Sequence, residues 1–170
     1  MHESAVISFY KGHGTDHAGR RFAEILSWDH RRLEMVHDYI QWLFPLPEPS
    51  RFNPEAPLLT SADVAVFRAS PELQAKVLDA FDLMLNFLGL ERTSGAIARG
   101  PSFESVSGNW LTPANHNHLR LTRIMLFLRH AGHGVQAERL LACLEDIAAH
   151  EGKDAISART LSFWRAAIKS

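Results

Sequence analysis

Between Asn109 and His133 the chain reads NWLTPANHNHLRLTRIMLFLRHAGH, with three arginines, four histidines and no acid anywhere from Ser105 to Ala137. On a helix, His116, Arg120, Arg123, Phe127 and His130 fall within about 40° of one line. Leu119 and Leu126 flank that line on one side, Leu121, Ile124 and Leu128 on the other. His118, Thr122 and Arg129 make a second polar edge. A helix apolar on both sides of a basic stripe is expected to be central, its arginines lying in a groove between neighbours. Guanidinium withdrawn from water needs a carboxylate, phosphate or carbonyl partner. Two partners fit here. One is an acid from a distant segment, with Asp38 and Glu34 as candidates; the other is a bound anion. Free backbone N–H groups in the first turn, near Asn115 and His116, favour the anion where one binds.

The ligand-binding set on this reading is Arg120 and Arg123 for the anion, His116 and Asn117 as donors, and Trp42 or Trp110 as a stacking wall. Asn109 joins it beside Trp110. His30, Glu34, His37 and Gln41 form a polar line spaced four, three and four residues apart. That line is either a solvated helix face or a wall that sets His37 and Gln41 opposite the basic groove. An alternative makes His37 or His116 a general acid/base acting on a phosphorylated or nucleic-acid substrate. A third reading is a protein–protein scaffold, which would carry an exposed apolar patch.

Other chemistry finds less support. The ten histidines invite a metal, but His116 and His118 point about 160° apart on a helix. No Cys–His or HExxH spacing occurs. Cys143 sits at the edge of an apolar stripe, where a thiol is usually an inert small hydrophobe. Ser105–Gly108 lacks a GxSxG elbow, and ERTSGAIARG is not followed by the Gly-Lys-Ser/Thr of a phosphate loop. No catalytic residue, metal or cofactor is assigned.

The elements that must position these residues read as helices. The chain has 170 residues, 46% hydrophobic and 22% charged, with a formal net charge of −1. Those values suit one globular domain over residues 1–170 and argue against a nucleic-acid partner, which would favour a clear basic excess. No stretch approaches the roughly 20 apolar residues of a membrane span, and the N-terminus has no secretory pattern, so the expected compartment is the cytoplasm.

Ala5–Tyr10 is expected to be a short extended piece, broken by Gly12 and Gly14. A first helix is expected after Thr15 or Asp16, carrying Phe22, Ile25, Leu26 and Trp28. A second runs from an Asp29 cap to about Phe44, with Leu33, Met35, Val36, Tyr39, Ile40, Trp42 and Leu43 on a wide apolar face and His37 and Gln41 facing away. Prolines 45, 47, 49, 54 and 57 then hold residues 45–59 extended, as a stiff surface crossing or a functional lip. Thr60 and Asp63 form a capping box, and Ser70-Pro71 opens a helix that Gly89 closes. Residues 90–111 read as loop with one short helix. Further helices are expected from Thr112-Pro113 to near Gly132, from Val135 to Ala149 and from Ser157 to Ile168. The fold class is all-α: a compact bundle of six or seven helices with a long Pro-rich loop.

With HDYIQWLFP (37–45) and NWLTPANHNHLRLTRI (109–124) both in view, the chain resembles the opioid growth factor receptor conserved region. The match includes Phe9 and Tyr10, Trp28, Asn53 with PLLT (57–60), and Met84, Leu85, Phe87 and Gly89. It continues through His116, Asn117, Leu119, Arg120, Thr122, Arg123 and Ile124, and covers about residues 8–150. The resemblance implies a receptor for an opioid peptide, described in vertebrates as Met-enkephalin, and allows peripheral membrane or nuclear-envelope association. Family members carry long C-terminal repeats, so this chain is expected to be a stand-alone, bacterial version. The expected partner is a small anionic ligand or short peptide. The resemblance brings no catalytic residue, and the oligomeric state stays open.

Overall fold

The structure, a computed structural model, describes residues 2–169. Among these residues it is mostly helical, with ten α-helices, one 3-10 turn and a two-stranded hairpin. The all-α class stands, with more and shorter helices than the six or seven expected. The chain groups into two compact units, Met1–Ala80 and Phe81–Ser170.

In the first unit, α1 (Ala5–Lys11) is a helix where an extended piece was expected. Ser4 caps it by accepting from the Ile7 N–H, and Gly12 closes it at φ +82°. Val6, Ile7, Phe9 and Tyr10 are all buried. Their one-and-three spacing is as helical as it is extended, and the caps decide it. The helix expected after Thr15 or Asp16 shrinks to α2 (Phe22–Leu26). Asp16 does not cap it; its Oδ1 accepts from the N–H groups of Ala18 and Arg20, both at 2.9 Å, and so closes a turn instead.

The long helix expected over 29–44 is two short ones, α3 (His30–Met35) and α4 (Ile40–Leu43). Asp29 caps α3 by accepting from the Arg32 N–H at 2.9 Å, as its sequence position implied. At Val36 the backbone turns extended. Tyr39 donates its hydroxyl to the Leu33 carbonyl at 2.7 Å in the core, which fixes the bend. The break rotates α4 relative to α3. Met35, expected inside, is 66% exposed, while Gln41, expected to face away, is buried with Ile40, Trp42 and Leu43.

Residues 45–59 do not run extended as the prolines implied. The segment bends at 47–48 and 51–52, turns at Asn53 with the Ala56 N–H on the Asn53 carbonyl at 3.1 Å, and returns so that Leu46 pairs with Leu58 through the Leu59 N–H to Leu46 carbonyl bond at 3.0 Å. The Thr60–Asp63 capping box is present and starts α5 (Ser61–Ala69). α1 packs on α2, α4 and α5.

α6 (Pro71–Leu88) follows Ser70, whose hydroxyl accepts from the Leu73 N–H at 3.2 Å. Gly89 ends it at φ +79°. A Cβ there would sit 2.7 Å from both Phe103 Cα and Val106 Cγ2, so the position needs glycine twice over. In the second unit, the expected loop over 90–111 holds an antiparallel hairpin, β1 (Leu90–Arg92) and β2 (Ile97–Arg99), then α7 (Phe103–Val106) and a 3-10 turn (Ser107–Asn109). α8 (His116–His130), α9 (Gly134–Ala149) and α10 (Ala158–Lys169) pack against one another, and β2 packs on α9.

Candidate functional site

α8 starts later than Thr112-Pro113 implied. Asn115 caps it by accepting from the Asn117 N–H at 2.9 Å, and its amide nitrogen donates to the Asn109 carbonyl and the Thr112 hydroxyl. Asparagine outranks threonine as a cap when both are available, because its side chain reaches the free N–H groups directly. Arg120 is buried, and its guanidinium donates to Asn117 Oδ1 at 3.2 Å. Arg123 is half-buried, whereas His116 and Asn109 are exposed. Leu119 is 57% exposed, so the basic stripe is not walled by apolar side chains on both sides as expected.

His118, placed on a second polar edge by the wheel, is inside. Its Nε2 donates to the Trp110 carbonyl at 2.8 Å, and its own carbonyl accepts from Trp164 Nε1 at 3.0 Å. Burial lowers its pKa and outweighs the bond to Trp110, so the ring is held neutral. Trp110 is fully buried and donates its Nε1 to the Leu88 carbonyl at 3.0 Å. Its indole is core, with no face open to a ligand.

In the first unit, His37 is exposed, and Gln41 and Trp42 are buried. Gln41 accepts from Asn53 Nδ2 at 3.3 Å. Trp42 heads a chain of bonds that sequence reasoning missed. Its Nε1 donates to His17 Nδ1 at 3.1 Å, which puts the imidazole proton on Nε2, 3.0 Å from Asp38 Oδ2. Arg20 donates to Asp38 at 2.9 Å and to Asp16 at 2.7 Å. Burial alone would raise the Asp38 carboxyl, but the bonds from Arg20 and His17 outweigh it and hold the group below its ordinary range. Asp38 was the distant acid expected for the basic helix; it is engaged by Arg20 and His17. Both nitrogens of His17 are committed, so the ring links Trp42 to Asp38. Residues 12–21 have no periodicity that would have flagged His17 or Arg20.

The second unit also carries a hollow of about 340 Å³ lined by Gly95–Arg99 on the hairpin and by Arg139, Ala142, Cys143 and Asp146 on α9. Arg99 bonds Glu151 at 2.5 and 2.7 Å and Asp146 at 2.7 Å. Arg139, half-buried at the rim, makes no hydrogen bond or ion pair to any described residue. Burial pushes the Cys143 thiol up to about 11, so it is protonated near neutral pH. No sequence signal marked Arg139, which lies beside the apolar stripe of its helix. Among the described residues, no three His, Cys, Asp or Glu side chains gather as a metal-binding group, and no helix is long and apolar enough to cross a membrane.

Comparison with known proteins agrees with the sequence resemblance. The family model described as the opioid growth factor receptor conserved region matches residues 2–170. The mouse opioid growth factor receptor is 42% identical over 103 residues, which is 59% of this chain and 16% of that protein. The human receptor is also 42% identical over 103 residues, 59% of this chain and 15% of that protein. The opioid growth factor receptor-like protein 1 of Xenopus tropicalis is 37% identical over 120 residues, 68% of this chain and 23% of that protein. The chain thus spans less than a quarter of the length of each of these relatives. No solved structure matches.

Proposed function

The chain belongs to the opioid growth factor receptor conserved-region family, and from that premise we propose that it is a non-enzymatic binding module for a short peptide with an anionic end. The observation that carries this reading is the acid-free run from Ser105 to Ala137, with its three arginines and four histidines. It sets exposed His116 and half-buried Arg123 on α8. A local positive field of this kind draws an anion and raises its encounter rate even in a chain of net charge −1. Relatives named as receptors for opioid growth factor suit a peptide ligand.

Several side chains of a type that could do acid–base or nucleophilic work serve the fold, which favours binding over catalysis, while the acid/base candidates His37 and His116 are exposed. His118 and Trp110 hold the core together, His17 is bonded at both nitrogens, and Cys143 is protonated. On this proposal Asn109, His116 and Arg123 meet the ligand. Asn117 and Arg120 brace α8 from within, and Gln41, Trp42 and Trp110 serve the fold. His37, exposed on the other unit, is left without a role. The proposed compartment is the cytoplasm.

Isothermal titration with Met-enkephalin, its C-terminal amide and inorganic phosphate tests the reading. Binding of the free acid that weakens with salt, and that weakens further in Arg123→Gln, is the expected result. No binding of any anionic peptide, with the protein folded, overturns it.

A further inference from the structure

The hollow beside the hairpin has an open main-chain edge along one wall and a charge at one end. Gly100 N–H bonds the Gly89 carbonyl, and Thr93 N–H bonds the Ala96 carbonyl, both at 2.8 Å. Antiparallel pairs alternate between bonded and non-bonded, so Glu91 and Ala98 are the next bonded pair. Ile97 and Arg99 therefore direct their main-chain N–H and C=O away from β1. Successive strand residues point to opposite faces. A hollow that touches all of Gly95–Arg99 must accordingly run along the outer edge of β2.

The facing wall is one side of α9, where Arg139, Ala142, Cys143 and Asp146 recur at three and four residues. Arg99 holds Asp146 at 2.7 Å at one end. Arg139 stands about 10 Å back along the helix from Asp146. Ala96 stands about 10 Å back along the strand from Arg99. Since one hollow is lined by both ranges, α9 and β2 run in the same direction and Arg139 lies at the hairpin-turn end. There it bonds no described residue, whereas Arg99 is already held by two carboxylates. A neighbouring cavity, lined in part by Asp82, Glu91 and Arg92, offers an anion no free cation, because that arginine is bonded twice to that aspartate.

We propose that this hollow binds the C-terminal segment of an extended peptide as a third strand, antiparallel to β2, with its terminal carboxylate on Arg139. Its main chain pairs with Ile97 and Arg99, and an apolar side chain lies over Ala142 and Cys143. Strand addition of this kind takes affinity from main-chain bonds and specificity from the side-chain slot and the terminal charge. Asp146 and Glu151 at the far end repel a carboxylate, which fixes the orientation. The proposal rests on the peptide-binding reading above and divides its work: the positive run of α8 with Arg123 steers the anionic peptide to the chain, and Arg139 holds the terminal carboxylate.

The test is a nitrogen-15 correlation titration of the full chain with acetyl-Ala-Val-Ala-Leu, as the free acid and as the C-terminal amide. The free acid is expected to shift the amide signals of Ile97 and Arg99, with the amide binding at least tenfold more weakly. Arg139→Gln is expected to lose the same tenfold for the acid and to remove the difference between the two peptides. Ala142→Leu, which fills the slot, is expected to abolish both. Far-UV circular dichroism confirms that each variant is folded. Acid and amide binding alike, or acid binding unchanged in Arg139→Gln, overturns the anchor and leaves the peptide reading standing. If neither this peptide nor Met-enkephalin shifts any signal, the anchor and the peptide reading both fall.

Discussion

Asn53, in the middle of the proline-rich segment, donates its side-chain amide to Gln41 Oε1 on α4 at 3.3 Å, and both residues are buried. Asn53 Oδ1 also accepts from the Glu55 N–H, and its own N–H donates to the Ser50 hydroxyl. The segment is therefore clamped to the helix it leaves, and the prolines stiffen only what lies on either side of the clamp. Gln41→Ala would leave a buried amide donor unpaired at a cost of about 1–3 kcal/mol. We expect a lowered Tm and faster proteolysis at the exposed bonds around Arg51 and Phe52, both of which limited trypsin and chymotrypsin digestion would detect. Gln41→Glu should be more damaging than Gln41→Asn, because it buries a charge in place of an amide.

His118 and Asp38 should shape the acid side of the stability curve in separate windows, with Glu3 and Glu151, exposed and also held low by their cation partners, adding to the lower one. His118 has a folded pKa lowered by burial. A lowered histidine pKa means that the unfolded chain binds the extra proton first, so its contribution is full above the unfolded value of about 6.5 and shrinks as pH falls below it. Asp38 has a folded pKa lowered by Arg20 and His17 against the effect of burial. Its contribution is full above the unfolded value of about 3.9 and is lost as pH falls through the folded value. Urea midpoints measured from pH 8 to pH 3 should fall first below about pH 6.5 and again below about pH 4. His118→Gln should flatten the first step and Asp38→Asn the second. A curve unchanged by either substitution would refute both assignments.

What was legible in the sequence follows the range of the interactions. Thr60 with Asp63, Ser70 with Pro71 and Gly89 each act within a few residues, and each marks the helix end they imply. Along α9 the helical spacing of Leu140, Leu144 and Ile147 buries all three, while Leu141, an inward residue by the same spacing, is only half-buried. α1 was misread because four apolar residues in a six-residue run suit either period, and the cap at Ser4 was the overlooked signal. The break between α3 and α4 depends on Tyr39 reaching the Leu33 carbonyl and on Asp38 being held by Arg20 and His17, all tertiary facts. The basic helix was visible as a stripe, but the wheel could not tell that His118 points inward, since that needs Trp110 and Trp164 in place. Arg139 was invisible for a different reason. Its interest lies in bonding no described residue, and only a folded chain can show that.

Gly89 and Gly95 should respond oppositely to alanine. At Gly89, φ is +79° and the new Cβ would lie 2.7 Å from the Phe103 backbone and the Val106 side chain. Left-handed strain alone costs on the order of 1–3 kcal/mol, and the clash with a main-chain atom adds to it. Gly89→Ala should therefore lower Tm by several degrees and disturb the start of the hairpin. At Gly95 a Cβ meets nothing within 4 Å. Gly95→Ala should stay within about 0.5 kcal/mol of wild type. Thermal melts of the two variants side by side check the contrast, and an equal effect would mean that the tight approach at Gly89 is not maintained in solution.

Cys143 lines the hollow and reports on it from within. Burial pushes its pKa up to about 11, while Arg99 pulls weakly the other way. The thiolate is the reactive form, and at pH 7.5 it is a fraction of roughly one in three thousand at that pKa, against about one in ten for an unperturbed thiol near 8.5. Alkylation by iodoacetamide should accordingly be slower than for a free thiol by a factor on the order of a hundred. Its rate should rise tenfold per pH unit up to about pH 10. Arg99→Gln removes a cation that favours the thiolate, so it should slow the reaction further if the fold is intact. A faster rate in that variant would mean instead that losing the Asp146 and Glu151 pairs has opened the wall between β2 and α9. Mass spectrometry of timed, quenched samples separates the two outcomes, and urea at a concentration that unfolds the chain gives the unprotected rate for reference.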